Sequence, residues 1–230
     1  MKIAKNTITP AETVKADIQK SYRGKNVLNL ANGVSEDLFH LKPEEGDFIL
    51  FLGRIDLYMK GLDILLESFS QVSNQHMNLK IAGSGKRGDV KKLLKLIKDF
   101  ELENRVEFLG KVSEKDKLEL LRTCLFLVMP SRFEGWGITG VEANAAGKPV
   151  LGTKIKGLGE AVLHEKTALL VEPEDVEKLT ASLDFLIENG EKRRSLGEEG
   201  RIWARRFSWK SIAAEQFDFY KAVLEDKQRM

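Results

Sequence analysis

Short apolar runs of strand length alternate along this chain with segments in which apolar residues recur at helical spacing. The candidate strands are 27–31, 48–52, 79–82, 106–109, 125–129, 149–152 and 168–171. The candidate helices between them are 60–73, 89–101, 114–123 and 139–146. Beyond residue 173 the pattern is helical only, at 174–189, 191–205 and 208–226. Short apolar strands, each followed by a helix, predict an α/β fold whose parallel sheet is covered by helices on both faces, with a helical C-terminal tail.

The composition is that of a globular protein. Of its 230 residues, 42% are apolar and 31% are charged, which allows a sizeable core in one domain or in one and a half. The net charge of +2 is too small to indicate nucleic acid as a main partner. The single cysteine, Cys124, adjoins the candidate strand 125–129, and we expect it to be a buried small hydrophobe.

The sequence also bears on localisation. A single cysteine allows no internal disulfide, which suits a reducing cytosol. The first residues lack the apolar run of a signal peptide, and no segment approaches the ~20 apolar residues that cross a bilayer. We therefore expect a cytoplasmic protein. Lys91, Lys95 and Lys98 share one face of a candidate helix. This face is either ordinary and solvated or attracted peripherally to the inner face of a membrane.

A glycine-rich turn follows the apolar run 125–129. Gly135, Gly137 and Gly140 lead from that strand into the candidate helix 139–146. The turn therefore brings free backbone N–H groups and the positive end of a helix dipole to the carboxyl end of a buried strand. Such a position favours an anion, typically phosphate.

Two glutamates, Glu134 and Glu142, flank this turn with seven residues between them. A carboxylate that touched a bound anion would repel it. We therefore expect both glutamates to bind hydroxyl groups beside the phosphate, and sugar hydroxyls fit that description. The simpler alternative is a partner of the helix dipole and a solvated helix position.

Two other kinds of site share parts of this pattern. Gly135-x-Gly137-x-x-Gly140 matches the G-x-G-x-x-G of dinucleotide-binding loops, as does the segment 83–88. Neither match is followed by the acidic residue that would bind the ribose at the end of the next strand. A glycosidase carboxylate pair needs a separation of about 5–9.5 Å. Eight residues of helix would rise roughly 12 Å, but this segment begins in a loop, so that weaker alternative stays open.

Cationic side chains follow another strand. The run 48–52 leads into Gly53 and Arg54, and Lys60 opens the next helix. Because parallel strands end at the same edge of a sheet, we expect both cations beside the glycine-rich turn, where they could bind phosphate oxygens. Solvated surface charges are the alternative. The sequence contains no D-x-D pair and no His/Cys cluster. We therefore expect a diphosphate to be bound without a metal or other cofactor.

Together these motifs resemble the C-terminal, donor-binding half of family-4 retaining glycosyltransferases, which have the GT-B fold of two Rossmann-like domains. The matching segments are Gly53-Arg54…Lys60-Gly61, Gly110-x-Val112, Pro130-Ser131-x-x-Glu134-Gly135-x-Gly137, Glu142-Ala143-x-Ala145-x-Gly147-x-Pro149-Val150, Gly157-x-x-Glu160 and Leu169-Leu-Val171-x-Pro173. The resemblance runs from about Asn32 to the final helix. Its most specific part is the E-x7-E spacing combined with the upstream Gly-Arg…Lys-Gly.

The resemblance implies three parts. Residues 1–31 would be the last strand–helix–strand of an acceptor domain, 32–207 the Rossmann-like donor-binding domain, and 208–230 a C-terminal crossover helix. The rest of the acceptor domain, or a partner subunit in its place, would lie outside this chain. Apolar residues of the last helix cover roughly 160° of its circumference. One packing surface needs only about 100°. The surplus, Phe217 or Phe219, would pack on that partner or on a second copy in a homo-oligomer.

The resemblance also implies roles for individual residues. Arg54 and Lys60 would bind the donor's diphosphate and stabilise the departing charge. Glu134 would contact hydroxyls of the transferred sugar, and Glu142 would accept the ribose hydroxyls. Main-chain groups around Val112 would recognise the base. The further contacts implied to phosphate, sugar and base come from Gly53, Gly135, Gly137, Ile138 and Thr139, with Lys117 a weaker candidate beside the base.

The implied reaction transfers a hexosyl group from a UDP- or GDP-sugar to a glycolipid or polysaccharide acceptor, with retention of configuration, without a metal and without a protein nucleophile. Three positions depart from the family: Trp136 stands where Phe is usual, Lys156 replaces a glycine and Ala168 replaces another. The alternative is a non-catalytic nucleotide-sugar-binding module or one subunit of a split transferase. An oxidoreductase ranks third.

Overall fold

The computed structural model describes residues 6–22 and 26–228. In these ranges the strands are β1 (Asn6–Thr9), β2 (Asn26–Asn29), β3 (Phe48–Leu52), β4 (Asn78–Ala82), β5 (Val106–Gly110), β6 (Leu127–Met129), β7 (Val150–Thr153) and β8 (Ala168–Val171). The helices are α1 (Glu12–Ser21), α2 (Asp37–His40), α3 (Leu62–Ser70), α4 (Arg87–Asp99), α5 (Glu114–Thr123), α6 (Ile138–Ala145), α7 (Lys156–Ala161), α8 (Val176–Glu188), α9 (Gly190–Ala204) and α10 (Trp209–Gln228), and a 3₁₀ turn covers Arg205–Phe207.

The main sheet is parallel and six-stranded, in the order β5-β4-β3-β6-β7-β8. Its central strands β3 and β6 are apolar throughout because both of their faces are covered. In β3, Phe48 and Leu50 belong to one buried apolar cluster, whereas Ile49 and Phe51 belong to the other. This confirms the expected α/β fold with helices on both faces and a helical C-terminal end.

The chain reverses its direction across the sheet between β3 and β6. It runs outward from β3 through β4 to β5 and then crosses back, so that β6 pairs with β3 on the other side. Ligands of open α/β sheets bind beyond the carboxyl ends of the strands at such a switch point. Here the residues after β3 and after β6 face each other.

Most expected boundaries agree with the structure to within a few residues. The run 125–129 is longer than β6, although the N–H of Leu125 donates to Phe48 O and Phe126 O accepts from the N–H of Leu50. The sequence pattern missed β1, α1, α2 and α7, although the resemblance implied a strand–helix–strand within residues 1–31. Helices α2 and α7 are short, and α7 contains Gly157 and Gly159, which lower helix propensity.

The first described residues form a separate unit. Strands β1 and β2 pair in parallel as a two-stranded sheet, with α1 between them. The carboxylate of Glu160 accepts the backbone N–H groups of Glu12, at 2.8 Å, and Thr13, at 3.3 Å, and so connects the start of α1 to the end of α7. The expected strand–helix–strand is therefore present, and its assignment to an acceptor domain stays a prediction. Residues 1–5 and 23–25 of that part, and 229–230 of the last helix, lie outside the described residues.

The last helix leaves part of its apolar surface uncovered. Ile212 is buried, whereas Trp209, Phe217, Tyr220 and Leu224 are exposed. Phe217 is thus the exposed member of the pair expected to form the surplus, and Phe219 is half-buried. Within the described ranges, no helix combines the length and the apolar character that crossing a bilayer would require. Cys124 is buried as expected, and its burial raises the pKa of its thiol to about 12.

Candidate functional site

Two cavities adjoin at the switch point. The larger has a volume of about 470 Å³ and the smaller about 300 Å³. Gly53, Arg54 and Thr139 line both. The larger cavity is otherwise lined by Leu52, Gly83, Ser84, Lys111, Val112, Ser113, Glu114, Lys117 and Glu142. The smaller is otherwise lined by Asn32, Lys60, Glu134, Trp136, Gly137 and Ile138.

The glycine-rich turn presents free backbone donors to this space. Gly137, immediately before α6, has φ of 79°, in the left-handed region that glycine adopts without strain. Within the described residues, no protein acceptor binds the backbone N–H groups of Gly137, Ile138 and Thr139. Three N–H donors and the positive end of a helix dipole therefore face the cavities, as an anion site requires.

Glu134 lies against a lysine. Its Oε1 atom is 2.6 Å from Lys60 Nζ and accepts a hydrogen bond of 2.7 Å from Ser131 Oγ. The side chain of Glu134 is only 9% exposed and that of Lys60 is 19% exposed, so the pair is well shielded from water. Glu134 precedes α6 and is bound to a side chain from another loop. It is therefore not a partner of the helix dipole.

Arg132 explains why these two loops meet. Its guanidinium group donates to both carboxylate oxygens of Asp63, at 2.7 and 3.0 Å, and to Glu174, at 2.6 and 3.1 Å. It also donates to the carbonyl oxygen of Tyr58 at 2.7 Å. These carboxylates raise the pKa of Arg132 above its ordinary value. The loop after β6 is thereby fixed to the start of α3, which brings Lys60 to Glu134.

Glu142 forms an ion pair with a different lysine, Lys117. Lys117 Nζ, from α5, lies 2.8 Å from Glu142 Oε1 and 2.8 Å from Glu114 Oε1. Burial alone would lower the pKa of Lys117, but its hydrogen bonds to Glu114 and Glu142 outweigh burial and raise that pKa. Lys117 is therefore charged at neutral pH. Glu142, 16% exposed, is not the solvated helix position of the simpler alternative.

Arg54 is an accessible cation that borders both cavities. Its side chain is 69% exposed, and its contact with Asp56 is long, at 3.4 Å. Because it borders both cavities, it can turn towards an anion bound between them. Lys60 reaches the same space from the other side while bound to Glu134.

The structure brings almost all of the predicted site residues together. Gly53, Arg54, Lys60, Val112, Glu134, Gly137, Ile138, Thr139 and Glu142 line one cavity or both. Gly135 lines neither and instead lies where α7 packs beneath the turn. Sequence reasoning missed Arg132 and did not assign Asn32, Ser131 or Trp136 to the site. Ser131 and Trp136 lie in the same loop as Glu134, within the motif itself, whereas only long-range contacts bring Asn32 and the partners of Arg132 to the site.

Among the described residues, no group of three His, Cys, Asp or Glu side chains is arranged to hold a metal ion. Lys91, Lys95 and Lys98 are exposed on α4 and line neither cavity, and membrane attraction through them stays a prediction.

A pair of cavities with anion donors and shielded carboxylates, at the switch point of a parallel sheet, defines a site for a ligand that carries both phosphates and hydroxyls. Residues 36–203 match the family model "Glycosyl transferases group 1". The chain belongs to this family.

Curated relatives agree. The chain is 34% identical over 207 residues to an uncharacterized glycosyltransferase of Methanocaldococcus jannaschii. This alignment covers 88% of the chain and 55% of the relative. It is 28% identical over 198 residues to a D-inositol 3-phosphate glycosyltransferase of Pseudarthrobacter chlorophenolicus, covering 84% of this chain and 45% of the relative. The chain thus spans about half the length of these relatives.

Solved structures share the fold. Sucrose-phosphate synthase from Thermosynechococcus elongatus superposes with a TM-score of 0.85 at 23% identity, over 97% of this chain and 59% of that one. The Anabaena protein HepE, solved in complex with UDP and glucose, also superposes with a TM-score of 0.85 at 23% identity. The superposition covers 96% of this chain and 64% of the HepE chain.

Proposed function

We propose that this chain is the donor-binding part of a family-4, retaining, metal-independent glycosyltransferase that transfers a hexosyl group from a UDP- or GDP-sugar. The observation that carries the proposal is the pair of adjoining cavities, each with a glutamate bound to a lysine and both bordered by Arg54. The nucleoside would occupy the larger cavity and the hexosyl group the smaller one. The diphosphate would lie between them, at Gly53, Arg54 and Thr139.

Each group of such a donor has a counterpart. Glu142 would accept the ribose hydroxyls, and backbone groups around Val112 would bind the base. Glu134, fixed by Ser131 and Lys60, would accept hydroxyls of the hexose. Arg54, Lys60 and the N–H groups at the start of α6 would stabilise the negative charge that develops as the sugar leaves. The UDP and glucose bound by HepE, a protein of the same fold, support this choice of ligand.

We further propose that the acceptor is a glycolipid or a polysaccharide and that an acceptor domain, or a partner subunit, supplies its binding site. The relatives include inositol-phosphate glycosyltransferases and glycogen synthases, so acceptors differ widely among proteins with a similar donor half. A non-catalytic nucleotide-sugar-binding module, or one subunit of a split transferase, is the alternative that the incomplete span of the relatives leaves open.

Nucleotide binding is expected to need no divalent metal. Arg54, Lys60 and the start of α6 supply the positive charge that a diphosphate requires. Titration calorimetry with UDP, GDP and their glucose or mannose conjugates, in EDTA and then in excess Mg²⁺ or Mn²⁺, should give the same affinity within about twofold. Binding that disappears in EDTA and returns with metal would contradict this part of the proposal. Absence of binding under both conditions would contradict the donor-binding function itself.

The 230-residue chain by itself is expected to bind donor without transferring sugar. Transfer requires donor and acceptor to be held in attack geometry with water excluded, and much of the rate comes from that positioning. The carboxyl ends of the six strands form one wall of such a cleft, and β1–α1–β2 is too small to form the other. Incubation with labelled donors and a library of lipid and saccharide acceptors should give no product above the hydrolysis background. Product formation that Glu134→Gln abolishes would show that this chain suffices.

A further inference from the structure

A lysine binds each of the two glutamates of the site, and the two ion pairs differ in construction. Lys60 binds Glu134 from a loop that is fixed by Arg132. Lys117 instead comes from the first turns of α5 and bridges two carboxylates, Glu114 and Glu142, at 2.8 Å each. Glu142 lies on the next helix, 25 residues further on.

The position of the Lys117 ammonium group is informative. The resemblance makes Lys117 a weaker candidate for contact with the base, but in the structure its Nζ atom is bound to the two carboxylates. Its effect on a ligand would therefore pass through Glu142.

We propose that Lys117 is a positioning residue that orients the Glu142 carboxylate towards a ribose and partly offsets its negative charge beside the diphosphate of the same nucleotide. This inference rests on the proposed function, because it assumes that a nucleoside occupies the larger cavity. In this role Lys117 does not need to touch the ligand.

The first part of the proposal follows from the hydrogen bonds. Oε1 of Glu142 is held by Lys117, while Oε2 receives no hydrogen bond from any described residue. One oxygen thus anchors the carboxylate and the other is left for hydroxyl groups in the cavity that Glu142 lines. A side chain held in one orientation before binding loses less conformational freedom when the ligand arrives.

The second part follows from charge. A carboxylate close to an anion site repels phosphate, and the repulsion is strong where both are shielded from water. Glu142 is largely buried, and the N–H donors of Ile138 and Thr139 lie at the start of its own helix. A lysine bound directly to Glu142 reduces its charge locally, so the carboxylate can serve the ribose without weakening the phosphate site.

A double-mutant cycle tests the coupling. Lys117→Met, Glu142→Gln and the double variant are titrated with UDP and GDP and with the 2′-deoxy forms of both nucleotides. Lys117→Met alone should weaken the ribonucleotide about tenfold and reduce the preference for it over the 2′-deoxy form. In the Glu142→Gln background the same change should have little further effect, because its target is gone.

The controls separate positioning from packing. Lys117→Arg should retain most of the affinity, because its guanidinium group can still bind both carboxylates. Lys115→Met makes the same change on an exposed position of α5 and should leave both affinities unchanged. If Lys117→Met unfolds the chain, Lys117→Gln takes its place in the cycle. Circular dichroism checks that every variant is folded.

Additive effects of Lys117→Met and Glu142→Gln would overturn the inference alone, because Lys117 would then act on the ligand without Glu142. Equal losses for the ribonucleotide and its 2′-deoxy form would overturn its first part, the orientation of Glu142 towards the ribose. Failure of the unmutated chain to bind any of these nucleotides would instead remove the proposed function, and this inference with it.

Discussion

Gly157→Ala should unfold the chain more easily and remove most of its affinity for a nucleotide sugar. A Cβ atom on Gly157 would lie 2.0 Å from the carbonyl oxygen of Glu134, 2.8 Å from its carbonyl carbon and 3.1 Å from the carbonyl carbon of Gly135. All three are backbone atoms, so no side chain can rotate to relieve the clash. The turn or α7 must move as a whole.

The strain introduced by Gly157→Ala falls on the glycine-rich turn, and this determines how much stability and affinity are lost. Overpacking of this kind costs about 1–3 kcal/mol of unfolding free energy. The displaced segment carries Glu134 and leads through Gly137 into α6, so both the sugar contact and the anion donors would shift together. We expect the affinity for UDP-glucose to fall at least about tenfold, which corresponds to roughly 1.4 kcal/mol.

The same helix offers a matched control. A Cβ atom on Gly159 would meet nothing within 4 Å. Gly159→Ala should therefore be neutral or stabilising by up to about 1 kcal/mol, because alanine favours a helix over glycine. Urea unfolding and titration calorimetry on the two variants measure both effects. Equal stability and equal affinity of the two variants would show that α7 does not support the turn as the packing indicates.

The two glutamates should respond differently to the loss of their charge. Glu142→Gln should weaken UDP or GDP as much as the complete donor, because the ribose is common to all of them. Glu134→Gln should weaken only the sugar-bearing donor. Loss of a charge-assisted hydrogen bond costs roughly 1.5–3 kcal/mol, or about ten- to a hundredfold in affinity.

The ion pair between Lys60 and Glu134 predicts how Glu134→Gln changes the affinity for bare UDP. Glu134→Gln removes the charge that holds Lys60, so Lys60 becomes free to bind phosphate. The affinity for bare UDP should then be unchanged or slightly higher. Glu103→Gln, at an exposed glutamate that lines neither cavity, is the control and should change nothing. Equal losses of bare nucleotide affinity in the two site variants would remove the proposed division of labour.

Local sequence patterns determined the fold class. Apolar runs of four or five residues, each followed by a helical segment, are typical of a parallel sheet covered on both faces, and both signals are local. Glycines placed directly after a strand likewise predict a turn and an exposed helix start without any knowledge of the rest of the chain. For this reason Gly53, Gly137 and the start of α6 could be assigned to the site from the sequence.

The strand order was not contained in those patterns. Nothing in the run 125–129 indicates that β6 pairs with β3 rather than with β5, its predecessor in the chain. That pairing creates the switch point and brings the loops after residues 52 and 129 together. Helix α7 was missed for a related reason: its two glycines disfavour a helix locally, and packing under the turn overrides that preference.

The sequence by itself determined the residue types of the site: carboxylates beside a glycine-rich turn, and cations at the end of another strand. Only the tertiary structure decided the partners. Lys60 and Glu134 are 74 residues apart, and Lys117 and Glu142 are 25 apart. Whether such charges meet depends on the order of the strands and on bonds such as those of Arg132, which are long-range contacts that no local periodicity encodes. The same glutamates could have been solvated, and only the tertiary structure buries them against lysines beside the glycine-rich turn.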